Sequence, residues 1–218
     1  MNYVILCGGK YEVWKTPRQL TEINGEPLVA RTIRLLRENG VSNIIISSNN
    51  LAFFRCFDVP LFVHDNRWKV YKKGDRLVGD GSWLNAFGFS EFDDSPVCYL
   101  MGDVVFSPKA IKTIVETETN DVQFFASAPP FAREYPKPYA EPFAFKVVNV
   151  ERFKHCVESA KTYEKQHMFK RNPIAWELWQ VIKNTPLNQI DYTNYVAIND
   201  YTCDIDSEED IEKFKNIV

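Results

Sequence analysis

A glycine turn followed by cations is the first feature of the chain that could do chemistry. The run Leu6-Cys7-Gly8-Gly9 ends a short apolar segment. The next nine residues contain three cations, Lys10, Lys15 and Arg18. Glycines let the backbone approach a ligand closely, and we expect free N–H groups there, which favour anions. With the cations they predict a polyphosphate site, although a turn beside solvated lysines explains the segment equally well.

Aspartates at two distant points of the chain could bind a metal ion. Asp103 follows Gly102 at the end of the apolar run 97–101. Asp204 and Asp206 lie near the C-terminus, and they would point to the same side of an extended segment. Carboxylate oxygens suit Mg²⁺, which takes one or two of them together with substrate phosphates. The alternative is that these aspartates only form turns and place negative charge at the start of the last helix.

Other kinds of site are disfavoured by what the sequence lacks. It contains neither G-x-G-x-x-G nor G-x-x-x-x-G-K-[ST], so a dinucleotide fingerprint and a P-loop are both absent. The three histidines stand in no recognisable catalytic setting. The five cysteines are scattered and form no CxxC, so we expect neither zinc nor a disulfide framework.

Composition excludes several classes of partner. The 218 residues are 45% apolar and 25% charged, as in ordinary globular proteins. Lys and Arg number 26 against 29 Asp and Glu, a formal charge of −3, which argues against a nucleic-acid partner. No apolar run approaches the ~20 residues of a membrane span, and the N-terminus lacks the basic region of a signal peptide. We therefore expect a cytoplasmic protein with one domain over 1–218, monomeric or homodimeric, and no membrane partner.

A strand–helix–strand unit must position the glycine turn. The run 3–7 predicts a buried strand, 28–39 an amphipathic helix closed by Gly40, and 43–47 a second strand. Such a βαβ unit implies parallel strands and a right-handed crossover. Open sheets of this kind bind ligands beyond the carboxyl ends of their strands, which is where the glycine turn and Asp103 fall.

The rest of the chain continues this alternation. Strands are predicted at 61–64, 97–101, 122–128, 142–150 and 195–199, and helices at 82–89, 108–116, 151–166 and 207–217. Ser107 and Ser207 are the expected N-caps of two of these helices. A proline-rich loop at 129–142 and the segment 167–190 interrupt the pattern, and the second could be a small helix that covers a cleft.

In this order the motifs resemble the nucleotidyltransferases of the GT-A-like α/β fold. That family opens with a strand, then [AG]-[AG]-G-x-G-x-R, P-K and G-x-P-[LM]-[LIV]. The counterparts here are Cys7-Gly8-Gly9, Pro17-Arg18 and the run GEPLV at 25–29. The family's metal-binding aspartate is similar to Asp103. The close of choline-phosphate cytidylyltransferase-like members resembles CDIDSEED at 203–210, which points to Asp206 as a second metal ligand.

The phosphate loop departs from the family pattern. Tyr11 stands where the second loop glycine is usual, Val13 where the arginine is usual, and Arg18 replaces the lysine after proline. The loop must therefore differ in shape from that of the family, and Lys10 or Lys15 would supply the missing charge.

The resemblance implies a Rossmann-like three-layer α/β/α fold with a mostly parallel mixed sheet, as in nucleotide-diphospho-sugar transferases. It implies an enzyme that joins a nucleoside triphosphate to a phosphorylated small molecule and releases pyrophosphate, for surface polysaccharide or lipid precursors. Asp103 and Asp206 would hold Mg²⁺. The run Leu6-Cys7-Gly8-Gly9 and Gly102 would contact the nucleotide, and Arg18, Lys15 and Lys10 would offset the charge of the triphosphate.

Base recognition is expected at a second loop. Gly79-Asp80-Gly81-Ser82 resembles the family's base-binding loop, and cytidylyltransferase relatives place a serine in a comparable position. This favours CTP, although Ser82 could also be a helix N-cap.

The acceptor is expected on the side of the molecule that includes 129–194. Its candidate contacts are Glu141, Lys146, Trp176 and Asp204. An aromatic wall beside an acid could hold a cationic headgroup, although tryptophans are more often core residues. The acceptor phosphate is already anionic, so direct attack on the α-phosphorus requires positioning and charge neutralisation but no general base.

Two other functions stay open. A GT-A glycosyltransferase would use a sugar nucleotide, but it typically carries a DxD motif, and 102–105 offers a single aspartate. A nucleotide-binding protein without catalysis would fit the departures in the phosphate loop.

Overall fold

A seven-stranded sheet forms the centre of the computed structural model, which describes residues 1–9, 16–64, 69–73, 76–80, 82–87, 95–129 and 140–217. In spatial order its strands are β12 (Val196–Ile198), β10 (Val122–Ser127), β11 (Pro142–Val147), β8 (Val97–Met101), β1 (Asn2–Leu6), β4 (Ile44–Ser48) and β5 (Leu61–Val63). Of these seven strands, β11 alone runs against the others. The mostly parallel mixed sheet is therefore confirmed.

Three two-stranded ladders lie outside this sheet in the described part of the chain. They are β2 (Glu22–Ile23) with β3 (Glu26–Pro27), β6 (Lys69–Lys73) with β7 (Arg76–Asp80), and β9 (Val104–Val105) with β13 (Cys203–Asp204). None of them was predicted from the sequence. The β9–β13 ladder matters most for the site, because it pairs segments about a hundred residues apart, with Asp204 opposite Val104.

The helices agree with the predicted alternation. They are α1 (Leu28–Glu38), α2 (Pro108–Glu116), α3 (Val150–Lys165), α4 (Ala175–Lys183) and α5 (Glu208–Lys215), with 3₁₀ turns at Arg18–Leu20, Leu51–Phe54 and Trp83–Ala86. The side chains of Ser107 and Ser207 cap α2 and α5, as expected. The predicted helix at 82–89 is a 3₁₀ turn over Trp83–Ala86, and 88–90 lies outside the described residues.

Helix α1 packs against the core beside strand β1 because its apolar residues share one face. Val29, Ile33 and Leu36 are buried on that face. Gly40 ends the helix with a φ of +78°, a left-handed conformation that glycine adopts at no steric cost. The N–H of Val41 then donates to the carbonyl of Leu36 at 3.1 Å, which closes the C-terminal turn.

Two apolar clusters hold the elements together. The larger one joins the central strands to the helices through packed rings, including Phe124 stacked on Phe145. A smaller cluster buries Ile205 with Val105, Leu28 and Phe214. Ile205 lies between the two C-terminal aspartates, so its burial fixes the acidic segment against β9 and α5. In the described part of the chain, no helix is both long and apolar enough to cross a membrane.

Candidate active site

The glycine turn lies at the carboxyl end of β1 and is held by two amide side chains. Gly9 N–H donates to Asn49 Oδ1 at 3.1 Å, and Asn49 Nδ2 donates back to the Gly9 carbonyl at 3.2 Å. Gln19 Nε2 donates to the Gly8 carbonyl at 3.4 Å. The expectation of free N–H groups therefore needs correction at Gly9, whose N–H is already bonded.

Gly102 brings the turn after β8 into contact with the glycine turn. Its N–H donates to the Leu6 carbonyl at 3.1 Å. A Cβ at this position would lie 2.5 Å from the Leu6 carbonyl oxygen and 2.9 Å from Cys7 Sγ. Only glycine fits at this crossing, and Leu6 and Cys7 have buried side chains. Any contact of these residues with a nucleotide would come from their backbone.

Arg18 lies between Asp103 and Asp206. Its guanidinium forms a salt bridge of 3.0 Å with Asp103 Oδ2 and a second salt bridge with Asp206 Oδ1. It also donates to the carbonyl of Ile205 at 2.9 Å. The Ile205 N–H in turn donates to the Asp103 carbonyl at 3.0 Å. The structure thus brings together the two aspartates that the sequence singled out.

Asp204 lies in the same cluster, with Glu141 close by. Burial, together with the negative charges of Glu141, Asp206 and Asp103, raises the pKa of Asp204 to about 8. Burial also raises the pKa of Asp103, although Arg18 opposes that shift. Among the described residues the cluster therefore gathers Asp103, Asp204 and Asp206 near one guanidinium, with Glu141 near Asp204, and this crowding of carboxyl groups favours binding of a cation.

The donor set fits a hard divalent ion. The cluster offers carboxylate oxygens, and oxygen ligands suit Mg²⁺. In the described chain no three Asp, Glu, His or Cys side chains are already arranged to hold a metal by themselves. An ion at this site would therefore take its remaining ligands from water or from substrate phosphates.

Lys146 is not part of this site, which corrects the expectation that it binds the acceptor. It pairs with Cys98 near the start of β8, whereas Glu141 precedes β11 at the opposite end of the sheet. Lys146 Nζ donates to the carbonyls of Ile114, Val115 and Thr117 at 3.1, 2.8 and 2.7 Å. It therefore caps the C-terminus of α2, where a cation is favoured by the helix dipole.

Trp176 is a core residue, which corrects its prediction as an aromatic wall for the acceptor. It is 1% exposed, and its ring meets Phe124 and Tyr192 edge to face. Its Nε1 donates to the Ala140 carbonyl at 2.6 Å, one residue before Glu141. Trp176 can therefore position Glu141 but cannot contact a ligand. Helix α4, which carries it, packs on α3.

Some of the remaining candidate residues lie outside the described part of the chain, and the others have structural roles in it. Lys10, Lys15 and Gly81 lie outside the described residues, with most of the proline-rich loop. Gly79 and Asp80 are part of the strand β7 and not of a loop, which corrects that assignment. The side-chain oxygen of Ser82 accepts from the Leu84 N–H at 3.3 Å, so Ser82 is an N-cap.

Asn49 and Gln19 are site residues that sequence reasoning missed. Asn49 directly follows β4, which is parallel to β1, so its position could have been found from the rule that carboxyl ends of parallel strands meet. Gln19 lies in a 3₁₀ turn of three residues, for which the sequence offers no periodic pattern.

Comparison with known proteins agrees with this geometry. A family profile described as the MobA-like NTP transferase domain matches residues 3–158. The chain belongs to this family of nucleotidyltransferases. The resemblance inferred from the motifs is therefore confirmed at the level of the family. No curated protein sequence matches the chain.

Solved structures of the same fold cover the whole chain of this MobA-like NTP transferase. A putative glucose-1-phosphate thymidylyltransferase from Bacillus anthracis, solved in complex with a sucrose, has a TM-score of 0.63 at 12% identity. The alignment covers 100% of this chain and 94% of that one. The CTP:phosphocholine cytidylyltransferase of Streptococcus pneumoniae has a TM-score of 0.58 at 14% identity, covering 99% of this chain and 98% of that one. At these identities the likeness establishes the Rossmann-like nucleotidyltransferase fold.

Proposed function

We propose that this chain is a Mg²⁺-dependent nucleotidyltransferase that transfers a nucleotidyl group from a triphosphate, with CTP favoured, to a phosphorylated small molecule. The product would be an activated precursor for surface polysaccharide or lipid synthesis. The observation that carries the proposal is the meeting of Asp103 and Asp206 across Arg18, beside the glycine turn. Their carboxylates come from segments 103 residues apart, and the fold joins them at the ligand-binding edge of the sheet.

Asp103 and Asp206 are the residues that would hold the ion. Bound Mg²⁺ would neutralise phosphate charge and help to orient the reacting groups. Asp103 is the less exposed of the two, with 23% of its side chain accessible against 45% for Asp206. We therefore assign Asp103 the larger part in fixing the ion.

Arg18 is the described cation best placed to meet the triphosphate. Its guanidinium already pairs with two carboxylates, and we propose that it exchanges at least one of them for a phosphate oxygen when the triphosphate binds. A forked guanidinium suits phosphate as well as carboxylate, so the exchange conserves the type of contact. Lys10 and Lys15 are proposed to add charge at the same end of the triphosphate.

The reaction needs little from the protein beyond position and charge. An oxygen of the acceptor phosphate attacks the α-phosphorus, a new P–O–P bond forms, and the bond to the β-phosphate oxygen breaks to release pyrophosphate. Because the attacking oxygen is already anionic, no side chain has to remove a proton. Residues that align the acceptor phosphate and offset the charge of the leaving group account for catalysis.

Glu141 and Asp204 are proposed to form the acceptor end of the site. Glu141 interacts electrostatically with Asp204, and a cationic group placed beside them would favour the ionised form of both carboxyl groups, so this end of the site suits an acceptor with a cationic group. The side chain of Trp176 supports this end indirectly, through the Ala140 carbonyl. Ser82 and the neighbouring Asp80 and Gly81 are the proposed base contacts.

Pyrophosphate release is the test of this function. The purified chain would be incubated with Mg²⁺, each of the four ribonucleoside triphosphates and a panel of phosphorylated acceptors with and without a cationic group. We expect pyrophosphate to appear only with an acceptor, and fastest with CTP. Release of a nucleoside diphosphate from a sugar nucleotide would identify a glycosyltransferase instead. Tight triphosphate binding without turnover across the panel would identify a non-catalytic binding protein.

A further inference from the structure

The acidic C-terminal segment lacks a regular element that could fix its distance from Asp103. Strand β13 has only two residues, and α5 begins after Asp206. Two carboxylates must be held within a few tenths of an ångström to bind one ion well. The positioning therefore has to come from side chains around the segment.

Ser107 and Asp200 form the first of these connections. Ser107 Oγ donates to Asp200 Oδ2 at 2.6 Å and accepts from the Ala110 N–H at 2.9 Å. Asp200 Oδ1 accepts from the Thr202 N–H at 2.8 Å. The Ser107 N–H donates to Thr202 Oγ1 at 3.0 Å. Ser107 and Thr202 are both almost fully buried, so the bond between them is shielded from competing water, whereas Asp200 is exposed.

Arg31 is the second connection between the segment after Asp103 and the segment before Asp204. It is 8% exposed and extends from α1. Its Nε donates to the Phe106 carbonyl at 3.2 Å, and its NH2 group donates to the hydroxyl of Tyr201 at 3.1 Å. A buried arginine in the interior of α1 thus bonds both to the segment that follows Asp103 and to the segment that precedes Asp204.

We propose that Ser107, Asp200 and Arg31 are positioning residues that set the spacing of Asp103 and Asp206, and so the affinity for a divalent cation, without touching the ion or the substrates. The proposal rests on the proposed function. It differs from a purely structural role in one measurable respect. Loss of the bonds made by Ser107, Asp200 or Arg31 weakens ion binding, whereas an equal loss of stability elsewhere in the fold does not.

Mn²⁺ is the probe for the test, because the free ion is counted directly by electron paramagnetic resonance. The variants Ser107→Ala and Asp200→Ala would be titrated with Mn²⁺ in the presence of CTP. We expect the Kd for Mn²⁺ to rise roughly tenfold in both, as when partners outside the ligand sphere of a metal are removed. Ser107→Thr keeps the hydroxyl and is expected to restore most of the affinity.

Asn149→Ala is the matched control. The Asn149 side chain caps α3 by accepting from the Arg152 N–H at 3.1 Å, and Asn149 follows β11 at the end of the sheet remote from Asp103. Its loss lowers the melting temperature about as much as loss of the Ser107 cap, because both remove one N-cap. We expect its Mn²⁺ affinity to equal that of the wild type.

Two results would overturn the proposal, and they separate it from the function on which it rests. Wild-type Mn²⁺ affinity in folded Ser107→Ala and Asp200→Ala would refute the positioning role alone. If Ser107→Ala does not fold, Arg31→Met replaces it in the comparison. A wild-type protein that binds neither Mn²⁺ nor CTP would refute the proposed function and the positioning role together.

Discussion

At the residue scale, Arg18 is the side chain whose position has the most consequences. It lies between Asp103 and Asp206 and forms a salt bridge with each of them. The guanidinium thereby offsets the repulsion between the two carboxylates. It must also compete with any other cation that binds them.

Removing Arg18 should therefore strengthen binding of a metal ion to the free protein. We predict that Arg18→Gln binds Mn²⁺ roughly fivefold more tightly without nucleotide, since a partly exposed ion pair of about 1 kcal/mol no longer competes. The same variant should raise the KM for the triphosphate. Arg34→Gln is the control, because Arg34 pairs with Glu26 and Glu38. Unchanged or weaker Mn²⁺ binding in Arg18→Gln would contradict the account.

Asp204 gives the stability of the metal-free protein an unusual dependence on pH. Its pKa in the folded state is raised to about 8, against about 3.9 in an unfolded chain. Between these values the folded state binds more protons than the unfolded state. The contribution of Asp204 to stability is therefore fully present below about pH 4, and it is lost progressively as the pH rises through about 8.

We expect the free energy of unfolding of the wild type to fall between pH 5 and pH 9. In Asp204→Asn this fall should be smaller. Urea denaturation of the metal-free protein at both pH values measures it. Excess Mg²⁺ with CTP should diminish the loss as well, because a cation favours the ionised carboxylates. An equal pH dependence in the wild type and in Asp204→Asn would show that another group is responsible.

At the scale of elements, the sequence predicted the units with strong periodicity. Strands β1, β4 and β8 are apolar runs, and α1 repeats its apolar residues at helical spacing, so each could be recognised alone. The β9–β13 ladder could not be, because two residues per strand carry no period and their pairing depends on the finished fold. Lys146 and Trp176 were misassigned for a related reason: residue type does not tell which end of a strand or which side of a helix faces the site.

The bond from Trp176 to Ala140 predicts a specific effect of α4 on the acceptor. Trp176→Phe removes this buried bond, which costs about 1 to 2 kcal/mol, and loosens the backbone at Glu141. We expect the KM for the acceptor to rise several-fold while that for the triphosphate stays unchanged.

Trp179→Phe provides the control for this helix. Trp179 donates to the Thr193 carbonyl at 3.1 Å, so its loss is similar in kind but lies away from Glu141. Steady-state kinetics of both variants would decide the matter. Equal changes in both Michaelis constants for Trp176→Phe would place its effect in general stability.

The variant Gly102→Ala tests whether the close contact between the turn after β8 and the glycine turn contributes to nucleotide binding. Alanine would place its Cβ 2.5 Å from the Leu6 carbonyl oxygen, which costs about 1 to 3 kcal/mol through displaced backbone. We expect nucleotide affinity to fall as well. Gly40→Ala costs about 1 to 2 kcal/mol through its positive φ and has open space around its Cβ. A loss of affinity equal in both variants, measured by CTP titration, would argue against a local role for Gly102.

At the scale of the whole molecule, the sheet order explains how distant residues share one site. Strand β8 lies beside β1, and the chain returns after β12 to pair with β9. The motifs indicated the family because they fall at strand ends in the right order. The substrates do not follow from the topology, because solved structures of this fold include a putative glucose-1-phosphate thymidylyltransferase and a CTP:phosphocholine cytidylyltransferase, which are named for different phosphorylated substrates.

The central claim is that Asp103 and Asp206 together bind a divalent cation with the triphosphate. Its most direct test is the affinity for Mn²⁺ in the presence of CTP, measured for the wild type, Asp103→Asn and Asp206→Asn. Asp121→Asn is the control, because Asp121 pairs with Arg152 and lies before β10. We predict a loss of more than about tenfold in both site variants and none in the control. Wild-type affinity in either Asp103→Asn or Asp206→Asn would contradict the account.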